Sequence, residues 1–73
     1  MTVLDASGLR CPLPVLKARK ALRAMAAGEE LTVLATDPGA PGDFRSFCAT
    51  TGDALLSLSE ADGTATIVIR KAG

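Results

Sequence analysis

Among the residues of this chain that could do chemistry, Cys11 is singled out by its neighbours. It lies within Gly8-Leu9-Arg10-Cys11-Pro12-Leu13-Pro14. A short apolar run (Val3, Leu4, Ala6) precedes this stretch and reads as a strand. Val15 to Met25 follows it and reads as an amphipathic helix. A sulfur at such a strand-to-helix turn meets backbone N–H groups that have no partner within the helix, and it meets the positive end of the helix dipole. Both favour thiolate, the nucleophilic form. Pro12 is expected as the first helical residue, where its missing N–H costs nothing, and Pro14 is tolerated in the same turn. Gly8 permits a sharp bend, and Arg10 places a positive charge near the sulfur. The alternative is a helix start with an incidental cysteine, a residue type that is often buried.

Other chemistries lack their parts. The chain has no histidine, so a self-contained cysteine hydrolase would be without its usual base. Its two cysteines, Cys11 and Cys48, are not a Cys-x-x-Cys pair, which argues against a dithiol oxidoreductase. Two cysteines and no histidine do not make a four-ligand zinc site and offer haem no second axial histidine. Neither a metal nor a bound cofactor is therefore expected. Cys48 follows Phe44 and Phe47 at helical spacing, which reads as the inner face of a helix and makes Cys48 a structural residue.

The elements that must position Cys11 follow from periodicity. Thr2 to Ala6 is a strand. Pro12 to Met25 is a helix that stops at Ala27-Gly28, with Val15, Ala18, Leu22 and Met25 as its core stripe. Lys17, Lys20 and Arg23 fall on the opposite side, Arg19 on the flank, and Leu13 and Leu16 lean outward near Cys11. Glu30 to Thr36 alternates as a second strand. Asp37-Pro38-Gly39-Ala40-Pro41-Gly42 reads as a loop, after which Asp43 caps a short second helix that ends at Thr51-Gly52. Ala54 to Glu60 and Thr64 to Lys71 are strands joined by a hairpin at Asp62-Gly63. The order is β-α-β-α-β-β. It implies a two-layer α/β (α+β) sandwich, a mixed four-stranded sheet with both helices on one face. The first two strands should be parallel, so Cys11 and the Asp37 loop should meet at one sheet edge. The order of the strands is left open.

Bulk properties narrow the class. Seventy-three residues make one domain, residues 1–73. Hydrophobic residues are 48% of the chain and the only aromatics are two phenylalanines, so the core is aliphatic. A formal net charge of zero gives no global signal for nucleic acid. The N-terminus has no basic and apolar leader pattern, and no apolar run reaches the length of a membrane span. These features predict a cytoplasmic protein in a reducing compartment, where cysteines are chemical or buried rather than bridged.

The motif Asp5-x-x-Gly8-Leu9-Arg10-Cys11-Pro12-x-Pro14, with Asp37-Pro38, Phe47-Cys48 and the terminal Ile69-Arg70-Lys71, resembles the TusA/SirA family of small bacterial sulfur carriers over nearly the whole chain. The resemblance implies a two-layer sandwich whose cysteine, Cys11, carries a persulfide, with Gly8, Arg10, Pro12 and Pro14 supporting the motif. It implies a cysteine desulfurase or a rhodanese as donor and a downstream acceptor protein in tRNA thiolation, molybdenum-cofactor synthesis or sulfur oxidation. Members of the family often carry Asp-Ile-Pro before the Phe-Cys pair. Here that place reads Asp43-Phe44-Arg45, a departure that bears on the second helix and on partner choice.

The chemistry agrees with the resemblance. Sulfane transfer needs a thiolate that attacks a partner's persulfide, holds the extra sulfur and yields it to another thiolate. It also needs the absence of a nearby resolving thiol. A chain without its own acid–base machinery would then borrow catalysis from its partners. Arg10, Lys17, Arg19, Lys20 and Arg23 are five of the eight basic residues. They form either an ordinary solvated face or a docking surface for an acidic partner, with Leu13, Leu16, Arg19, Lys20 and Asp37 as its candidate contacts. An RNA-binding or regulatory adaptor module using the same basic helix is the alternative. The zero net charge and the lack of stacking aromatics argue against direct nucleic-acid binding.

Overall fold

The structure is a computed structural model that describes residues 2–72. The elements run β1 (Thr2–Ala6), α1 (Leu13–Arg23), β2 (Glu30–Ala35), α2 (Ala40–Thr51), β3 (Ala54–Ala61) and β4 (Thr64–Arg70). This is the expected β-α-β-α-β-β order. The sheet is mixed, with strand order β1-β2-β4-β3. Strands β1 and β2 are parallel, with Ala6 opposite Ala35. Strand β4 lies antiparallel to both β2 and β3. The order has a simple cause. Helix α2 carries the chain past one strand position, and the tight β3–β4 hairpin brings β4 back into the gap. Asp62 and Gly63 both have positive φ, 53° and 79°, as a two-residue hairpin turn requires.

One face of the sheet is closed by the helices. Leu31, Val33 and Ala35 of β2 face the same side as Ala65, Ile67 and Ile69 of β4, and all six are buried. Onto them pack Pro14, Ala18 and Leu22 of α1 and Ala40, Phe44 and Cys48 of α2. Phe44 is the largest fully buried side chain, and the ring of the half-buried Phe47 meets it edge-on at 6.5 Å. The other face has no helical cover, and Val3 and Leu56 are exposed. Ala6, Ala35 and Ala65 stand in register across β1, β2 and β4 at the edge where both helices begin. Small side chains in that row let the helix starts come close to the strand ends.

The helix boundaries depart from expectation in ways that matter for the site. Helix α1 begins at Leu13, so Pro12 is its N-cap rather than its first helical residue, and the Cys11–Pro12 peptide is cis. Pro14 was expected only to be tolerated; it is buried and heads the stripe Pro14, Ala18, Leu22, while Val15 is half-buried. Met25 lies beyond the helix but still packs on the core. Helix α2 begins at Ala40, three residues before Asp43. Ala40-Pro41-Gly42, expected as loop, is its first turn. Proline is suited to the first helical turn. The Ala40 N–H donates to the Asp37 carbonyl at 3.0 Å and the Asp43 N–H to the Gly39 carbonyl at 3.1 Å. Gly52 closes the helix with φ +83° and an N–H bond to the Cys48 carbonyl.

Core truncations should follow this packing. Phe44→Ala is expected to cost about 3–5 kcal/mol and Ile67→Val about 0.5–1.5 kcal/mol by urea denaturation. Leu16→Ser, at an exposed position, should change stability by no more than about 0.5 kcal/mol.

Candidate functional site

Cys11 is exposed in the turn between β1 and α1. The turn is built by local chemistry. Asp5 accepts the Ser7 N–H at 3.0 Å, and the hydrogen bonds from Ser7 hold its carboxyl below the usual carboxylate range. Gly8 takes φ +79° and donates its N–H to the Thr36 hydroxyl at the end of β2, at 2.8 Å. The Leu9 N–H closes on Ala6 and the Leu13 N–H on the Arg10 carbonyl. Gly8 thus enters the turn through its conformation and Arg10 through its backbone carbonyl, not through the charge expected of it.

The Asp37 loop arrives from the other side, as the parallel β1–β2 pairing predicts. Asp37 accepts the Gly39 N–H at 2.9 Å. A β-carbon at Gly39 would crowd the Asp37 carboxylate at 3.0 Å and would meet the Cys11 β-carbon at an ordinary 3.8 Å, so the loop lies directly beside Cys11. One turn into α2 stands Asp43. Its carboxylate does not cap the helix; it accepts a hydrogen bond from the Cys11 thiol. An acidic group in a first helical turn sits favourably in the dipole.

This arrangement runs against the expectation of a thiolate-biased Cys11. The sulfur precedes the cap of α1 rather than standing on free helical amides, and its near neighbours are acidic. The hydrogen bond to Asp43 pushes the thiol above its ordinary range. Desolvation and the charges of Asp43 and Asp37 push the same way. A carboxylate stabilises S–H as a donor and opposes a second negative charge beside it. From the sequence Asp43 is expected as a helix cap, not as a site residue. The signal available was an acid in the first turn of a helix that starts at the same sheet edge as Cys11.

The remaining candidates divide into two strips. Leu13 and Leu16 are exposed by 46% and 51%. With the exposed Lys20 they run along α1 from the Cys11 turn at spacings of three and four. Arg19 belongs elsewhere, in a shallow groove with Leu22, Arg23, Phe47 and Lys71. A second shallow groove, about 310 Å³, begins beside the site between Pro12, Val15, Asp43 and Phe47. Cys48 is buried as expected, and burial is the main cause of its raised thiol pKa.

A family model described as sulfurtransferase TusA matches residues 2–71. The chain belongs to the TusA family. It is 60% identical over 67 residues to a Neisseria meningitidis serogroup B protein, covering 92% of this chain and 90% of that one. The sulfur carrier protein TusA of Allochromatium vinosum is 50% identical over 68 residues, covering 93% and 90%. A crystal structure of a SirA-like protein from Desulfitobacterium hafniense superposes with a TM-score of 0.88 over the full length of both chains at 29% identity. The role of this TusA-family chain is thereby given in outline, that of a sulfur carrier working between a donor and an acceptor. No helix among its described residues is long and apolar enough to cross a membrane.

Alkylation reads the acidic surroundings directly. At pH 7 Cys11 should react with iodoacetamide more slowly than a cysteine in a short peptide, because the reactive thiolate is the minor form. Asp43→Asn should speed the reaction several-fold, followed by intact-mass spectrometry on a Cys48→Ser background.

Proposed function

We propose that the protein carries sulfane sulfur as a persulfide on Cys11. It accepts the sulfur from a cysteine desulfurase or rhodanese-type donor and relays it to an acceptor protein in tRNA thiolation, molybdenum-cofactor synthesis or sulfur oxidation. The observation that supports this best is the contrast between the two thiols. Cys11 is exposed at the head of α1, and Cys48 is in the core. A sulfane sulfur on Cys11 can meet a partner's sulfur, and no accessible second thiol of the same chain competes to discharge it. Gly8, Arg10, Pro12 and Pro14 hold the turn in this reading. No bound cofactor is needed, since the cargo is attached covalently, and the working compartment is the cytoplasm.

The strip of Leu13, Leu16 and Lys20 is the docking surface closest to the sulfur. Arg19, in the neighbouring groove, and Asp37, beside the sulfur, add charges of opposite sign, which suits steering of a partner with a complementary pattern.

Sulfur loading from a cysteine desulfurase with labelled cysteine, read by intact mass, tests the reading. Wild type and Cys48→Ser should gain one sulfur or a short chain, and Cys11→Ser none. A folded Cys48→Ser that fails to load, or a Cys11→Ser that loads normally, would contradict it. By calorimetry, Leu16→Asp should weaken donor binding by about tenfold or more, as loss of a central apolar contact does. Charge reversal at Arg19 or Lys20 should act chiefly through association rate and salt dependence. Unchanged affinity in all three would remove this surface from the account.

A further inference from the structure

We propose that Asp43 is the base that accepts the Cys11 proton when sulfur is loaded. This rests on the reading of Cys11 as the sulfur-bearing residue and adds a catalytic group that the sequence reading did not assign. The geometry carries it. Asp43 projects from the first turn of α2 onto the thiol and already accepts its hydrogen bond. A general base must stand within hydrogen-bond reach of the proton it takes, and this chain has no histidine to do so. The other charged group acting on the sulfur is Asp37, in the β2–α2 loop; Arg10, next in sequence, is exposed. Asp37 is engaged by the Gly39 N–H, which leaves Asp43 as the carboxylate bonded to the thiol.

The acidic surroundings also explain why a base is needed. With thiolate disfavoured by Asp43 and Asp37, attack by a free thiolate draws on a small population. Attack by the thiol with the proton passing to Asp43 draws on the resting form. In that step an electron pair on Cys11 Sγ forms a bond to the terminal sulfur of a donor hydropersulfide, R–S–SH. The donor's S–S bond breaks and its electron pair leaves on the donor thiolate. The Cys11 proton moves to Asp43 and from there to that thiolate. The products are Cys11–S–SH and R–SH. Cys11 is oxidised to a persulfide as the donor is reduced to a thiol, so no outside oxidant or reductant enters. Asp43 also lines the shallow groove with Pro12, Val15 and Phe47.

The test uses cysteine hydropersulfide as a small donor and the full chain with Cys48→Ser, and it measures loading by quenched intact mass from pH 6 to 9. Comparing wild type with Asp43→Asn at each pH cancels the ionisation of the donor. Loading by Asp43→Asn should be slower by about a hundredfold at pH 6. The gap should narrow by about tenfold per pH unit as thiolate replaces thiol. Iodoacetamide alkylation of the same variant should be faster than wild type, the opposite direction, because iodide leaves without the proton that Asp43 returns to a departing thiolate. Asp43→Glu should restore much of the loading at low pH. Asp43→Ser, compared by circular dichroism, serves if the asparagine variant does not fold. Loading that rises together with alkylation, or a ratio of one at every pH, would overturn the role of Asp43 while leaving Cys11 as the carrier. Wild type that gains no sulfur on Cys11 would instead overturn the reading beneath it.

Discussion

The hydrogen bond from the Cys11 thiol to the Asp43 carboxylate joins two chain segments across one end of the sheet. Each partner is delivered by its own strand-to-helix connection. Because β1 and β2 are parallel, α1 and α2 both start at the same edge. Three alanines in register there keep the floor low, and buried Pro14 and Phe44 seat the two helices on it. A change in either helix start would separate the thiol from the acid. The bond also sets the chemical state of the sulfur, since an adjacent carboxylate favours S–H over S⁻.

That state suits a carrier in a way that a strongly activated thiolate does not. A low-pKa exposed cysteine is attacked readily by oxidants and alkylating agents. An exposed sulfur held as a thiol is quieter between partners, and its reactivity can be raised by the encounter itself. The rest of the surface fits such a division of labour. An apolar and basic strip of Leu13, Leu16 and Lys20 on α1 leads away from the sulfur, and the Asp37 carboxylate lies near it, so the exposed surface around Cys11 carries contrasting charges.

Most of this was legible in the sequence because it is governed by short-range rules. Period-two alternation in Leu31, Val33 and Ala35, glycine at the left-handed positions 8, 52 and 63, and the Asp62-Gly63 turn all act locally. The placement of β4 between β2 and β3 was not legible, because a hairpin fixes only the pairing of its own two strands. The start of α2 was misplaced because Pro38, Gly39, Pro41 and Gly42 have the composition of a loop. Pro41 in fact sits where a first turn accepts it. That error carried into the site. An Asp43 read as a cap has its carboxylate committed to backbone amides, whereas an Asp43 one turn inside the helix is free to meet the thiol. The thiolate expectation rests on the local turn and Arg10 and takes no account of an acid 32 positions away in sequence.

Titration of Cys11 itself would decide most directly whether this contact governs the site. The Cβ resonance of ¹³C-labelled cysteine in a Cys48→Ser background reports the thiol-to-thiolate conversion without any reagent. The midpoint should lie above the ordinary cysteine value of about 8.5 and should fall when Asp43 is replaced by asparagine. A midpoint below the ordinary value in the unmodified site, or one unmoved by Asp43→Asn, would contradict the governing role of this contact.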